Sequence, residues 1–199
     1  ALGEMWEGGG NGCRNLVMAT LGTGVGGGII VDGDIVPGAH GAGGEIGHLT
    51  MNHHETESCN CGRKGCLEQY SSATGLVRLA KRALAADHEA TSLDKVKFVS
   101  AKAVFDAYKA GDGVAARIVE EFAAVLGRGL SRVASVVDPE VFVIGGGVSK
   151  AGQPLLDVIQ KVYRREAFSS CKEAGFTLAT LGNDAGIYGG VQMILDSEN

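Results

Sequence analysis

The sequence predicts an α/β fold in which helices cover both faces of a mixed sheet. Three observations lead to this prediction. Strand-like segments joined by tight turns open the chain, and helical and strand-like segments alternate after residue 72. Residues 141–144 form a continuous apolar run, which is typical of a strand buried on both faces. Hairpins followed by alternating helices and strands give a mixed sheet rather than a purely parallel one.

Length and composition limit the classes of protein that fit. The 199 residues are enough to bury a full core as one domain, and no apolar run is long enough to cross a bilayer, so no membrane contact is predicted. Acidic and basic residues are interspersed with a formal net charge of −5, which gives nucleic acid no basic patch to bind. Five cysteines and no hydrophobic signal segment argue against disulfides and predict a cytoplasmic protein.

The first predicted strand, residues 16–20, runs into a glycine-rich segment at residues 21–28. Its glycine spacing matches a dinucleotide-binding motif, but that motif needs a helix after it. Here residues 29–31, the Asp32-Gly33 turn and residues 34–36 predict a β-hairpin instead. A glycine turn between strands can bind phosphate through its backbone N–H groups and the Thr23 hydroxyl, or it can be merely a tight hairpin. Both readings stay open on these residues alone.

Residues 45–68 contain a compact set of side chains that are typical of metal and polar-ligand sites: Glu45, His48, Cys59, Cys61, Cys66 and Glu68. Three thiolates and one imidazole can fill the tetrahedral shell of zinc, which leaves no open position for water. A closed shell argues for structural zinc that fixes a loop, and against a zinc-activated hydroxide. The alternative, three free thiols at a surface turn, is disfavoured by the tight polar turn at residues 62–65.

Helices and strands alternate in the remainder. Amphipathic helices are predicted over residues 72–86 and 100–110, and a longer helix with Asp112 as its N-cap reaches about residue 137. Asp138-Pro139 ends that helix, and the buried strand at 141–144 runs into three glycines, where a ligand lies naturally. A helix at 155–165, a strand at 176–180 and a helix at 184–195, with Asn183 as its cap, complete the fold.

Four motifs together identify a family. They are residues 21–28 (LGTGVGGG), 44–48 (GEIGH), 59–68 (CNCGRKGCLE) and 144–148 (IGGGV). With them the chain resembles the C-terminal lobe of the ROK-family sugar kinases, and the bacterial glucokinases most of all. The cysteine motif joined to GEIGH is specific, whereas the glycine turns are weak on their own. The resemblance covers nearly the whole chain and implies an actin-like ATPase (ribonuclease H-like) lobe with a zinc-stabilised loop.

The resemblance implies a role for each matching residue. Glu45, His48 and Glu68 match residues that hydrogen-bond the hydroxyls of a sugar. The zinc ligands correspond to His48, Cys59, Cys61 and Cys66. The ATP-binding positions correspond to Gly22, Thr23, Gly24, Gly145, Gly146 and Gly147. The implied reaction is ATP-dependent phosphorylation of a hexose, above all of glucose to glucose 6-phosphate, with structural Zn²⁺ and with Mg²⁺ bound to ATP.

The same resemblance implies that part of the active site lies outside these residues. Residues 1–199 would form a single domain, with residues 1–12 as a remnant of the junction to an absent N-terminal lobe. The family's catalytic aspartate would lie just upstream of Ala1, so we expect the chain alone to transfer little phosphate. The resemblance also implies a homodimer.

Two other classes of function remain on sequence grounds. A sugar-sensing repressor of the same family uses a related lobe and carries a separate DNA-binding head. An unbroken glycine segment at residues 22–28 favours the kinase over that repressor. A purely structural zinc module would explain the cysteines but not Glu45 and Glu68.

Overall fold

The computed structural model describes residues 1–86 and 89–197, and it confirms a mixed five-stranded sheet. The strands are β1 (Leu16–Leu21), β2 (Val25–Val31), β3 (Asp34–Ile35), β4 (Val141–Gly145) and β5 (Gly175–Leu178). They lie in the order β3-β2-β1-β4-β5, with the first three antiparallel and with β4 and β5 parallel to β1. Thr20 of β1 pairs with Gly145 of β4, so both glycine segments begin at the C-terminal ends of these two parallel strands.

Helices lie on both faces of this sheet. Those described are α1 (Leu2–Glu7), α2 (Glu68–Ser71), α3 (Ala73–Ala86), α4 (Ala101–Lys109), α5 (Gly113–Val137), α6 (Gln153–Glu166) and α7 (Ala185–Ser197). Helix α5 packs against α3, α4 and α6 on one face, and α1 packs against α7 on the other. Among the described residues, no helix has both the length and the apolar content needed to span a bilayer.

The central strands are buried on both sides, as the apolar run at 141–144 predicts. Phe142 and Ile144 of β4 belong to the larger core beneath α5, whereas Val141 and Val143 belong to a smaller core that includes Leu2 of α1. Each strand therefore places its apolar residues alternately into two cores. This double burial explains why the segment lacks a polar face.

The long helix begins and ends where the sequence predicts. The Asp112 carboxylate accepts a hydrogen bond from the Ala115 N–H at 3.0 Å, which satisfies one of the unpaired donors of the first turn. At the other end Asp138 adopts a left-handed conformation with φ +43°, and Pro139 follows. Helix α5 thus spans 25 residues through the middle of the larger core.

Several predicted boundaries need correction. Strand β2 begins at Val25 rather than residue 29, so the first glycine turn consists of residues 22–24 alone. The glycines that follow pair with β1 as part of the strand, and Gly27 is glycine because a Cβ there would lie 2.3 Å from the Gly44 carbonyl oxygen. A 3-10 turn over Gly182–Asp184 takes the place of the predicted Asn183 cap. Helices α1 and α2 were not predicted, since each is too short to show a helical period.

Candidate functional site

The three clustered cysteines lie in a loop that is folded by its own backbone hydrogen bonds. The Cys59 N–H donates to the Arg63 carbonyl at 2.7 Å, and the Gly62 N–H donates to the Cys59 carbonyl at 2.9 Å. Gly62 and Gly65 have φ of +82° and +74°, a region that favours glycine over residues with a Cβ. A side-chain N–H of Arg63 donates to the His48 carbonyl at 2.8 Å, which ties the loop to the 3-10 turn Ile46–His48.

The loop brings together the four predicted metal ligands. One ligand atom from each of His48, Cys59, Cys61 and Cys66 lies within 4.8 Å of every other. Cys61 Sγ lies 3.6 Å from Cys66 Sγ, and Cys59 Sγ lies 3.9 Å from His48 Nδ1. Ligand atoms around tetrahedral zinc are separated by roughly 3.8 Å when the metal–sulfur distance is about 2.3 Å. The donor set and its spacing therefore fit Zn²⁺.

The thiols of this cluster differ in acidity. Burial, and then the hydrogen bond with Glu68, raises the pKa of Cys59 to about 12. The pKa of Cys61 is lowered to about 6, chiefly by the main-chain N–H of Arg63. Burial raises the pKa of Cys66. A coordinated thiol is deprotonated outright, so a bound divalent cation would make all three sulfurs thiolates.

Two carboxylates flank His48 on opposite sides of its ring. Glu68 Oε1 lies 3.9 Å from Nδ1, and Glu45 Oε2 lies 3.8 Å from Nε2. The Glu68 side chain is 16% exposed and the Glu45 side chain is 61% exposed. Because Nδ1 faces the cysteines, Nε2 is the ring nitrogen left for another partner. The three side chains predicted to bind sugar thus lie together at the border of the metal cluster.

Glu68 and His48 line an open cleft of about 530 Å³ that also reaches the first glycine turn. Thr23 and Gly24 line the same cleft. The cleft therefore places carboxylate and imidazole groups, which suit hydroxyl ligands, beside backbone N–H groups, which suit phosphate.

The second glycine turn, residues 145–147, begins with the last residue of β4 and lies close to the first. Gly146 has φ of +84°, and a Cβ on it would lie 2.6 Å from the backbone of Leu21. The end of β4 can therefore approach the end of β1 only without a side chain at this position. Gly147 lines a separate cavity of about 180 Å³ together with Val148 and Phe105.

Glu55 is a buried charged residue whose importance is not evident from the sequence. Its carboxylate accepts hydrogen bonds from the Tyr70 hydroxyl at 2.6 Å, from Arg78 at 2.9 Å and from Arg82 at 3.1 Å. These contacts join the start of the cysteine loop to α2 and α3. The partners are 15 to 27 residues away in sequence, and no local motif connects them.

The mixed sheet, the two adjoining glycine turns and the thiol–imidazole cluster have the actin-like fold that is also seen in ROK-family hexokinase and glucokinase structures. The chain belongs to the ROK family, whose family model matches residues 1–197.

Comparison with individual proteins gives the same family. Glucokinase of Halalkalibacterium halodurans is 45% identical over 203 residues, which is 100% of this chain and 62% of that protein. The crystal structure of a ROK family glucokinase from Streptomyces griseus in complex with glucose and AMPPNP has a TM-score of 0.86 and 37% identity. That match covers 96% of this chain and 64% of the Streptomyces chain. The present chain therefore spans less than two thirds of these relatives.

Repressors of the family are also similar to this chain. The xylose repressor of Caldicellulosiruptor bescii is 31% identical over 170 residues, which is 84% of this chain and 42% of that protein. Family membership by itself therefore does not separate kinases from repressors.

Proposed function

We propose that the protein containing this chain is an ATP-dependent hexose kinase that converts glucose to glucose 6-phosphate. The observation that carries the proposal is the shared cleft, in which Glu68 and His48 lie beside Thr23 and Gly24. A sugar hydroxyl and a terminal phosphate must meet in one cleft for phosphoryl transfer. Two similar proteins named glucokinase support the choice of reaction.

In this proposal Glu45, His48 and Glu68 bind the hydroxyl groups of the sugar. Carboxylates accept hydrogen bonds from O–H donors, and the imidazole supplies a further polar contact through Nε2. If Nδ1 held the metal, the tautomer and direction of the ring would be fixed. His48, Cys59, Cys61 and Cys66 would hold structural Zn²⁺, whose role is to preorganise this side of the cleft.

ATP would bind across the two glycine turns. Gly22, Thr23 and Gly24 would form the phosphate turn, in which the Gly22 N–H donates to the Gly24 carbonyl oxygen at 3.0 Å and the N–H groups of Thr23 and Gly24, with the Thr23 hydroxyl, would contact phosphate. The turn formed by Gly145, Gly146 and Gly147 would support the adenosine. Mg²⁺ bound to ATP would neutralise charge on the phosphates during transfer.

The transfer step needs a base that takes the proton from the attacking sugar hydroxyl. We infer that this base is an aspartate just upstream of Ala1, and that residues 1–199 form one lobe whose first 12 residues belong to the lobe junction. The sugar oxygen would bond to the γ-phosphorus as the bond to the β-phosphate oxygen breaks and ADP leaves. Without the base, this chain alone should turn over at least about a hundredfold more slowly.

The runner-up is a sugar-binding repressor, and the xylose repressor match favours it. The glycine segment is weaker evidence against it than the sequence suggests, because several of its glycines serve the packing of β2. A Cβ on Gly26 would lie 2.7 Å from Thr20 Oγ1, and one on Gly28 would lie 2.7 Å from Ala1 Cβ. Only residues 22–24 remain as a phosphate turn.

We also propose a homodimer and a cytoplasmic location for the kinase.

The deciding experiment measures ADP release with Mg-ATP and a panel of hexoses. It compares the full-length parent protein with this 199-residue chain, both loaded with zinc. We expect release from the parent with glucose and little or none from the chain. Normal turnover by the chain, with its intact mass verified, would contradict the inferred upstream base. A folded, zinc-loaded parent protein that releases no ADP with any hexose would favour the repressor.

A further inference from the structure

We propose that Thr74 is a positioning residue that, with Ser72, holds the first glycine turn at a fixed distance from Glu68. This inference rests on the proposed kinase function, since it concerns the geometry between the sugar and phosphate sides of one cleft. Neither hydroxyl belongs to the predicted set of site residues.

Ser72 contacts the sugar side of the junction between α2 and α3. Its hydroxyl donates to the Glu68 carbonyl oxygen at 2.7 Å and accepts from the Gly75 N–H at 2.9 Å. The residue is fully buried. Ser72 therefore joins the residue that carries the proposed sugar carboxylate to the first turn of α3.

Thr74 contacts the phosphate side of the same junction. Its hydroxyl donates to the Thr23 carbonyl oxygen at 2.6 Å, and Thr74 Oγ1 lies 3.0 Å from Ser72 Oγ. Between them, the Ala73 N–H donates to the Gly22 carbonyl oxygen at 2.8 Å. Three consecutive residues thus bind Glu68 at one end and the first glycine turn at the other.

The first glycine turn is closed by the Leu21–Val25 pair and by the Gly22 N–H, which donates to the Gly24 carbonyl oxygen at 3.0 Å, so its contacts beyond the hairpin decide where it lies in the cleft. Around Gly22 there is open space, with nothing within 4 Å of where a Cβ would lie. Glycine has more backbone freedom than any other residue, so a turn built from it needs external contacts to keep its N–H groups in one direction. The Thr74 hydroxyl supplies such a contact through the Thr23 carbonyl. A displacement of about 1 Å in a positioned reactant can cost about a hundredfold in rate.

The test uses Thr74→Val and Thr74→Ser in the zinc-loaded full-length protein, with Thr177→Val as the matched control in the edge strand β5. Valine keeps the shape of threonine but lacks the hydroxyl. We expect T74V to raise the KM for ATP and to lower kcat, each roughly threefold, because one neutral hydrogen bond, worth about 1 kcal/mol in all, is lost. The KM for glucose should change by less than about twofold, since the sugar contacts remain. T74S should restore wild-type values, and T177V should retain them.

A second measurement does not depend on activity. Amide hydrogen exchange of the Gly22 and Ala73 N–H groups, which donate to the Gly24 and Gly22 carbonyl oxygens, should be faster in T74V than in the wild type and T74S, whereas exchange in α5 should be unchanged. Unchanged exchange at the turn, or a wild-type kcat and KM for ATP in T74V, would overturn the proposal. A wild-type enzyme that phosphorylates no hexose would instead contradict the proposed function, and the exchange experiment would still decide the role of Thr74.

Discussion

The backbone of Gly24 lies directly beneath the carboxylate of Glu68. A Cβ at residue 24 would lie only 2.5 Å from Glu68 Oε2. On its other side, Glu68 Oε1 lies 2.9 Å from Cys59 Sγ, which donates a hydrogen bond to it as long as the sulfur carries its proton. The proposed sugar carboxylate therefore lies between the first glycine turn and the cysteine loop, in contact with both.

We predict that Gly24→Ala weakens glucose binding. The added methyl group would displace the Glu68 carboxylate, because at 2.5 Å one of the two groups must move and the carboxylate is the far end of a flexible side chain. Since a hydrogen bond to a charged group contributes about 1.5 to 3 kcal/mol, the dissociation constant for glucose should rise roughly tenfold or more. Calorimetric titration of the zinc-loaded full-length protein with glucose measures this change.

The neighbouring Gly22→Ala is the comparison for glucose binding. A Cβ at residue 22 meets nothing within 4 Å, so the Glu68 carboxylate should stay in place and glucose affinity should be retained. Equal weakening by both substitutions would show that the effect comes from the turn as a whole and not from contact with Glu68.

The sequence predicts Gly24 as a site residue but not its contact with Glu68. Glycine spacing indicates where a backbone can approach a ligand, whereas a contact between residues 44 positions apart depends on how β1 and α2 pack. For the same reason the sequence overestimates the length of the first glycine turn. The demand for glycine at Gly27 comes from Gly44, which is distant in the chain. Residue spacing within one helix, strand or turn can be recognised in the sequence, whereas contacts between separate elements cannot.

We predict that Cys66→Ala abolishes stoichiometric zinc binding. Cys66 is fully buried and lies 3.6 Å from Cys61 Sγ, and the other two thiols of the cluster already serve as ligands, so its loss leaves three ligands for the metal. At a free zinc concentration about a thousand times the dissociation constant, bound metal adds about 4 kcal/mol to the free energy of unfolding, and the variant should lose that contribution. Elemental analysis and thermal unfolding with and without a chelator measure the two effects.

Cys13→Ala is the matched control, because Cys13 lies in the loop after α1, outside the metal cluster. It should retain zinc and its response to the chelator. Zinc retained by C66A, or missing from the wild type after growth with added zinc, would contradict the ligand set.

We predict that Asp112→Ala destabilises α5. Asp112 accepts hydrogen bonds from the Ala115 N–H at 3.0 Å and from the Ser92 N–H at 2.7 Å. Loss of an N-cap costs about 1 to 2 kcal/mol, so the free energy of unfolding in urea should fall by about that amount. Asp112→Asn keeps an acceptor oxygen and should lose less. The exposed Asp106→Ala should change little, and an equal loss in that variant would argue against a capping effect.

Asp112 and Glu55 are both stabilising acidic residues, but only the role of Asp112 can be predicted from the sequence. Asp112 stands directly before a helical period, so its capping role follows from local spacing. Glu55 stands in an irregular loop, and its partners on α2 and α3 become neighbours only when the cysteine loop folds onto these helices. Burial alone would raise the pKa of Glu55, but hydrogen bonds from Arg82 and Tyr70 and the charge of Arg78 lower it well below its usual value near 4.5.

We predict that Glu55→Gln lowers the free energy of unfolding by about 1.5 to 3 kcal/mol at neutral pH, because the half-buried Arg78 loses its buried charged partner and keeps the exposed Glu57, which lies 3.2 Å away. The Glu55 side chain is only 3% exposed, whereas that of Glu57 is 54% exposed, so Glu57→Gln should have a much smaller effect.

A carboxyl group with a lowered folded-state pKa stabilises fully above its unfolded-state pKa, near 4.5, and loses that contribution as the pH falls toward the folded-state value. The difference between wild type and E55Q in urea should therefore be constant from about pH 7 to pH 6 and should shrink below about pH 4. A difference that does not change with pH would show that the Glu55 charge contributes nothing.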